Sequence, residues 1–407
     1  MKRNNWLKSL GPGLLFAGAA IGVSHLVQST RAGADFGFGL LWALLLVNIF
    51  KYPFFQYGPR YAMATGESLI DGYFKLGKSV LLIYFVLTFT TMFTIQAAVT
   101  IVTAGLATNL FGITNNVTTW SIIITSICFF LLLIGKYKLL DKLIKFIIII
   151  LTLSTLIAVT IAAFNNTQPL EFTQIFPKGT VKVTFLIAFL GWMPAPLDIS
   201  VWHSLWAIEK HKENIENYNI KKSIFDFNIG FIGTLFLAIC FVALGTFVMH
   251  YSRTEFNRGA SKFAQQLINL YTQNLGNGTA IFIGIAAFTT MFSTTLTTLD
   301  ASPRSMARST ELLFNKTFKA NYISWIILLS IGTIIILTLF ISNMITMIKI
   351  ATIISFLTAP FYAIANFILI SSKHTPKEWH PSMPMKIVSY LGIIFLIGFS
   401  IWYLMNL

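Results

Sequence analysis

Charge is the scarcest property of this chain. Asp, Glu, Lys and Arg make up 11% of its 407 residues, and only 14 of them are acidic. Soluble proteins carry roughly 25% charged residues, and a soluble body of this size has no other means of covering its surface. The shortage therefore excludes a soluble multidomain enzyme, and it excludes disorder and coiled coil equally. Cysteine is as scarce. Cys128 and Cys240 both lie inside apolar runs and read as packed thiols rather than a disulfide or a zinc site. What remains is hydrophobic, at 56% of residues, and the class this defines is a polytopic membrane protein.

A helix needs about 20 apolar residues to cross the hydrocarbon core. Uncharged runs at 118–135, 146–164, 229–249, 279–299, 323–342, 350–370 and 387–405 meet that length. The stretch 79–111 is uncharged and too long for one upright span, so it reads as a tilted helix with an extended end. Interrupted apolar segments at 13–30, 39–59 and 183–207 bring the total to eleven. No short apolar region ends in a small-residue cleavage site, so no cleavable signal peptide is expected.

Lys and Arg set the orientation. With the N-terminus in the cytoplasm, 22 of the 29 fall on cytoplasmic segments, four of them assigned between spans 2 and 3. The other seven are Arg31, Lys178, Lys182, Arg253, Arg258, Lys262 and Lys349. The reading is N-inside and C-outside, in a bacterial inner membrane given the short loops and the Ile-, Lys- and Asn-rich composition. The basic loops facing anionic lipid also account for the net charge of +15, so no nucleic-acid partner is needed. The bilayer is the expected partner, and no oligomeric state is implied.

Two segments break the rule that spanning helices are continuous. In span 1, Gly18-Ala19-Ala20-Ile21-Gly22-Val23-Ser24-His25 combines small residues with a polar pair at mid-depth. In span 6, Gly191-Trp192-Met193-Pro194-Ala195-Pro196-Leu197-Asp198 places two prolines and an acid at the membrane centre. Each proline removes a backbone donor and clashes with the preceding turn, so both segments should unwind. If spans 1–5 and 6–10 are two repeats, the breaks open each repeat, which is the sequence pointer to a transporter binding site. The repeats would run over about 11–164 and 180–373, with an extra helix at about 387–405. An ionisable group at the bilayer centre costs at least about 2.5–3.5 kcal/mol and is a functional candidate for that reason. Asp198, His25 and His203 are the candidates; Asp300 reads as closing span 8.

Short motifs then suggest a family. Gly11-Pro12-Gly13, Ala32-Gly33-Ala34-Asp35-Phe36-Gly37, Leu110-Phe111-Gly112-Ile113, Met193-Pro194 with His203-Ser204, and Met291 through Asp300 resemble the Nramp family of divalent metal transporters. The resemblance implies an all-α LeuT-type inverted repeat of 5+5 helices plus an eleventh, with helices 1 and 6 broken and substrate held between them. The departures fall on the working residues. The family's metal-binding Asp in helix 1 becomes Gly22, and its Asn becomes His25. In helix 6 the metal-binding Met is either retained as Met193 or replaced by Pro196, in which case Asp198 stands at the family's histidine. The proton-path acids of helix 3 become Gln96 and Val99.

The donors left are the Asp198 carboxylate, the His25 imidazole, the Met193 thioether and carbonyls of unwound backbone near Gly22 and Met193. That set suits a first-row divalent ion such as Mn²⁺ or Fe²⁺, with Mg²⁺ a harder-ligand candidate. The site expectation is thus Gly22, His25, Met193, Pro196 and Asp198, with Gln96 and His203 on the pathway. With few groups left to titrate, the expected transport is uncoupled from protons. The alternatives are an organic or zwitterionic solute, with Trp192 and Trp202 lining a larger pocket, and a non-transporting receptor on the same fold. No nucleophile–base pair or cofactor motif appears, so no enzyme and no cofactor are expected.

Overall fold

The computed structural model describes residues 11–134, 137–213, 219–250, 257, 259–276, 280–316, 321–340 and 343–405. Within them every secondary-structure element is a helix. The first span is α1, Pro12–Ala20, and α2, Ser24–Phe36, bent by 46° at the intervening residues. Then follow α3 (Leu41–Thr65), α4 (Leu69–Leu76), α5 (Lys78–Phe111), α6 (Val117–Ile134) and α7 (Tyr137–Asn165). The second broken span is α8, Thr180–Trp192, and α9, Ile199–Glu213. The rest are α10 (Ile220–His250), α11 (Ala260–Leu275), α12 (Ala280–Phe314), α13 (Asn321–Ile335), α14 (Met344–Ser371) and α15 (Met383–Met405). Every expected span falls on a helix or a broken helix among the described residues; 135, 279, 341 and 342, at the ends of three spans, lie outside them. This is the all-α polytopic architecture that the resemblance implies, with α15 as the added helix.

The breaks sit where small residues and prolines remove support. α1 ends at Ala20, and the chain resumes at Ser24 with a wide π-helical turn before α2. α8 ends at Trp192, and Pro194 and Pro196 keep the chain out of helix until Ile199. The start of α1 is held from outside itself. Gly11 N–H and Gly13 N–H donate to the Asp226 carboxylate at 3.1 and 2.8 Å, so α10 caps the orphan donors of α1. Gly13 must be glycine, because a Cβ there would lie 2.1 Å from the Asp226 carbonyl.

Three elements differ from the expectation. α5 is one continuous helix of 34 residues, about 51 Å long at 1.5 Å per residue, with no extended end. Asp300 does not close span 8: α12 continues to Phe314, and the buried Asp300 carboxylate is held by Arg304 at 2.7 Å and the Tyr322 hydroxyl at 2.6 Å. α11 crosses nothing. Its Ala260, Phe263, Ala264, Leu267, Leu270 and Tyr271 are buried at helical spacing against α5, α7 and α12. Around the bundle α5 packs along α12, α1 on α10, α3 on α9 and α14 on α8. Many apolar side chains remain exposed on the outer helices, such as Ile387, Leu391 and Ile394 on α15, as a hydrocarbon solvent requires.

Candidate functional site between the two broken helices

The two breaks face each other across a small central cavity. Ala19, Ala20, Val23 and Ser24 line it from the first break, Trp192, Pro196, Ile199 and Trp202 from the second. Thr294 and Thr298 of α12, with Ile95 and Val99 of α5, complete the wall. Its volume is about 20 Å³, room for about one water molecule. The polar side chains on the wall are hydroxyls and two indoles: Trp192, which donates to Ser355 Oγ at 2.9 Å, and Trp202, whose Nε1 has no hydrogen-bond partner. No carboxylate lies on it.

His25 is buried just after the first break, and both ring nitrogens are engaged. Nε2 lies 2.9 Å from the Thr234 carbonyl of α10, which assigns the proton there. Nδ1 lies 2.7 Å from Ser24 Oγ and 3.2 Å from the Ala20 carbonyl. The ring ties α2 to α10, and neither nitrogen is free for a metal ion in this conformation. Met193 is buried on the second break, where its thioether accepts from Ser29 Oγ of α2 at 3.5 Å. Asp198 is buried at the start of α9, with Oδ1 lacking a hydrogen-bond partner. Among the described residues no three His, Cys, Asp or Glu side chains converge as a metal-binding group.

Asp198 has a neighbour that sequence reasoning missed. Lys51, counted with the basic residues between spans 2 and 3, is instead fully buried inside α3 and within electrostatic reach of Asp198. Its Nζ donates to the carbonyls of Leu190 and Gly191, each at 2.7 Å, and of Ala195 at 3.3 Å. The signal was a lone lysine in an otherwise apolar segment.

Two larger cavities open at opposite ends of the helices. One, about 540 Å³, is lined by Arg31, Asp35, Lys182 and Lys349, with Gln28 and Asn343 among the neutral groups. Its single acid is paired with Arg31 at 3.2 Å. The other, about 560 Å³, holds Glu67, Asp71, Glu209, Lys212, Arg304, Arg308 and Glu311, bound together by the pairs Arg308–Asp71 and Arg308–Glu311.

The model of the family described as natural resistance-associated macrophage protein-like, Nramp, matches residues 13–406. The chain belongs to that family. An uncharacterized protein of Pasteurella multocida (strain Pm70) is 34% identical over 414 residues, covering 99% of this chain and 94% of its own. A crystal structure of a mutant manganese transporter from Eremococcus coleocola is 13% identical with a TM-score of 0.74, covering 98% of this chain and 87% of that one. Mhp1, a nucleobase-cation-symport-1 family transporter solved closed with bromovinylhydantoin bound, is 14% identical with a TM-score of 0.59, covering 97% and 92%. Nramp proteins are membrane transporters, not enzymes.

Set against the Nramp pattern, the departures have structural reasons. A Cβ at Gly22 would lie 2.8 Å from Thr294 Oγ1 and 3.0 Å from its Cγ2. Thr294 thus fills the space that any side chain at position 22 would enter. Gln96 bridges α5 to α12, donating to the Thr295 carbonyl at 3.2 Å and accepting from Thr298 Oγ1. His203 stacks on Phe16 at 5.8 Å and meets Phe227 at 5.5 Å, with no hydrogen-bond partner on either nitrogen. Pro196 lies on the central cavity.

Proposed function

We propose that this Nramp protein is a secondary carrier that moves a divalent metal cation, Mn²⁺ or Fe²⁺ first and Mg²⁺ second, past the breaks in helices 1 and 6. The observation that carries the reading is the pair of unwound segments lining one small cavity. Broken half-helices at the midplane are how such carriers present backbone groups to an ion. Met193, Asp198 and the carbonyls of the second break that Lys51 leaves free are the proposed donors, with Gly22, His25 and Pro196 shaping the first break and the wall. Gln96 and His203 border the pathway. At about 20 Å³ the cavity is too small to hold a hydrated ion, so cargo passes only when the half-helices move.

Orientation and localisation belong to the same proposal: cytoplasmic N-terminus, external C-terminus, bacterial inner membrane. The Arg31, Lys182 and Lys349 mouth is then external. The repeats would span about 11–164 and 180–373, with 387–405 added. Movement is uncoupled from protons, because Gly22, Gln96 and Val99 do not titrate and the Lys51 ammonium is engaged by three carbonyls.

A second reading, an organic or zwitterionic solute, has its own support. The wall offers two indoles, hydroxyls and an unpartnered N–H, and a mouth with three basic groups against one acid attracts a carboxylate and repels a free divalent ion. Proteoliposome flux with Mn²⁺, Mg²⁺ and Ca²⁺ in one preparation, alongside small zwitterions, separates the two. Saturable Mn²⁺ uptake supports the first; solute uptake with no metal flux supports the second.

A further inference from the structure

Lys51 is spent on a place that a free ion would otherwise suit. Its three N–H donors meet three carbonyl oxygens. An ammonium has three such donors and a neutral amine two, so three carbonyl partners suit the charged form. The oxygens of Leu190 and Gly191 end α8, and Ala195 lies in the break beyond it. Carbonyls in the last turn of a helix have lost their intrahelical partners and carry the negative end of its dipole. Asp198 adds a carboxylate within electrostatic reach, and its Oδ1 has no hydrogen-bond partner. Backbone carbonyls with one carboxylate nearby are the hard oxygen donors that alkali and alkaline-earth cations take.

We propose that the break in helix 6 builds a monovalent cation site and that Lys51 fills it as a tethered cation. The chain then needs no inorganic co-ion to hold this break, and transport is independent of sodium and potassium. That consequence for coupling rests on the carrier reading; occupancy of the site by Lys51 does not.

The test uses the purified full-length protein in detergent without cargo. Lys51→Ala empties the site and leaves room for an ion, while Lys51→Met removes the charge but keeps the bulk. Melting is followed in N-methylglucamine buffer and on titration with Na⁺, K⁺ or methylammonium. The wild type should not respond. Lys51→Ala should melt about 5 °C or more lower and recover saturably with one of the three cations, whereas Lys51→Met should melt lower and not recover. Asp198→Asn added to Lys51→Ala should weaken the recovery at least about tenfold in cation concentration. Lys51→Ser is purified in parallel, both variants in the presence of all three cations. The proposal is overturned if Lys51→Ala melts like the wild type, if no cation restores it, if Lys51→Met recovers equally, or if neither small variant folds with these cations present. Because no cargo is involved, an inert protein in a flux assay and a missing cation response are separate results.

Discussion

Replacing His25 by Ala separates a ligand from a strut. The ring spans from α2 to the Thr234 carbonyl of α10 at 2.9 Å, and it is fully buried. Thr234 lies inside α10, so its carbonyl also has a helical partner; losing the imidazole removes a second hydrogen bond, worth about 1 kcal/mol. The cavity left by a buried side chain of this size adds about 2–4 kcal/mol. The total is about 3–5 kcal/mol. With unfolding entropy scaling with length, a chain of 407 residues should then melt about 3–6 °C lower. His25→Gln, which keeps an N–H able to reach Thr234, should recover part of that loss. The assay is thermal denaturation in detergent, paired with uptake into proteoliposomes below the melting range. The structural account expects lower stability with cargo affinity changed by less than about threefold, roughly 0.65 kcal/mol. Unchanged melting with an affinity loss of about tenfold or more would refute it and return His25 to the ligand set.

Further outcomes follow from the same contacts. Asp198→Ala should remove most transport with expression near normal, read by flux against surface yield. Met193→Ala should impair Mn²⁺ more than Mg²⁺, because a thioether favours the softer ion; paired flux curves show it. Gly22→Ala should destabilise by about 1–3 kcal/mol through Thr294, and Thr294→Ala should relieve much of that in a double-mutant cycle. Asp226→Ala should loosen the start of α1, seen as faster amide exchange at Gly11 and Gly13. A pH dye trapped in the liposomes should show no stoichiometric proton movement with the cargo; a signal lost in His203→Ala would contradict uncoupled transport.

The breaks were legible because their cause is local. Pro194, Pro196 and the small residues about Gly22 disrupt a helix in any setting, and an acid at mid-membrane marks Asp198 whatever surrounds it. What those residues touch was not legible. His25 was given to the cargo because a polar residue beside a break looks like a ligand, yet its partner is a backbone carbonyl that no side-chain pattern reveals. Lys51 was grouped with loop lysines because charge counting assigns residues to sides of a membrane, not to depth. α11 escaped notice for a related reason: its apolar face is one stripe at helical spacing, while a span search asks for unbroken apolar length. Thr294 carries no signal of its own, since only the distance to Gly22 shows what it fills.

Cargo is proposed to pass between the breaks as a divalent cation. The most direct test is Mn²⁺ uptake by proteoliposomes of the wild type and of Asp198→Ala, at a fixed inside-negative potential. That potential favours entry of a divalent ion by about 2 × 2.3 kcal/mol per 100 mV. The expected result is saturable, potential-driven Mn²⁺ uptake in the wild type and its loss in Asp198→Ala at equal protein incorporation. Wild-type protein that is folded and inserted yet carries no Mn²⁺, Fe²⁺ or Mg²⁺, or Asp198→Ala that carries Mn²⁺ as fast as the wild type, would contradict it.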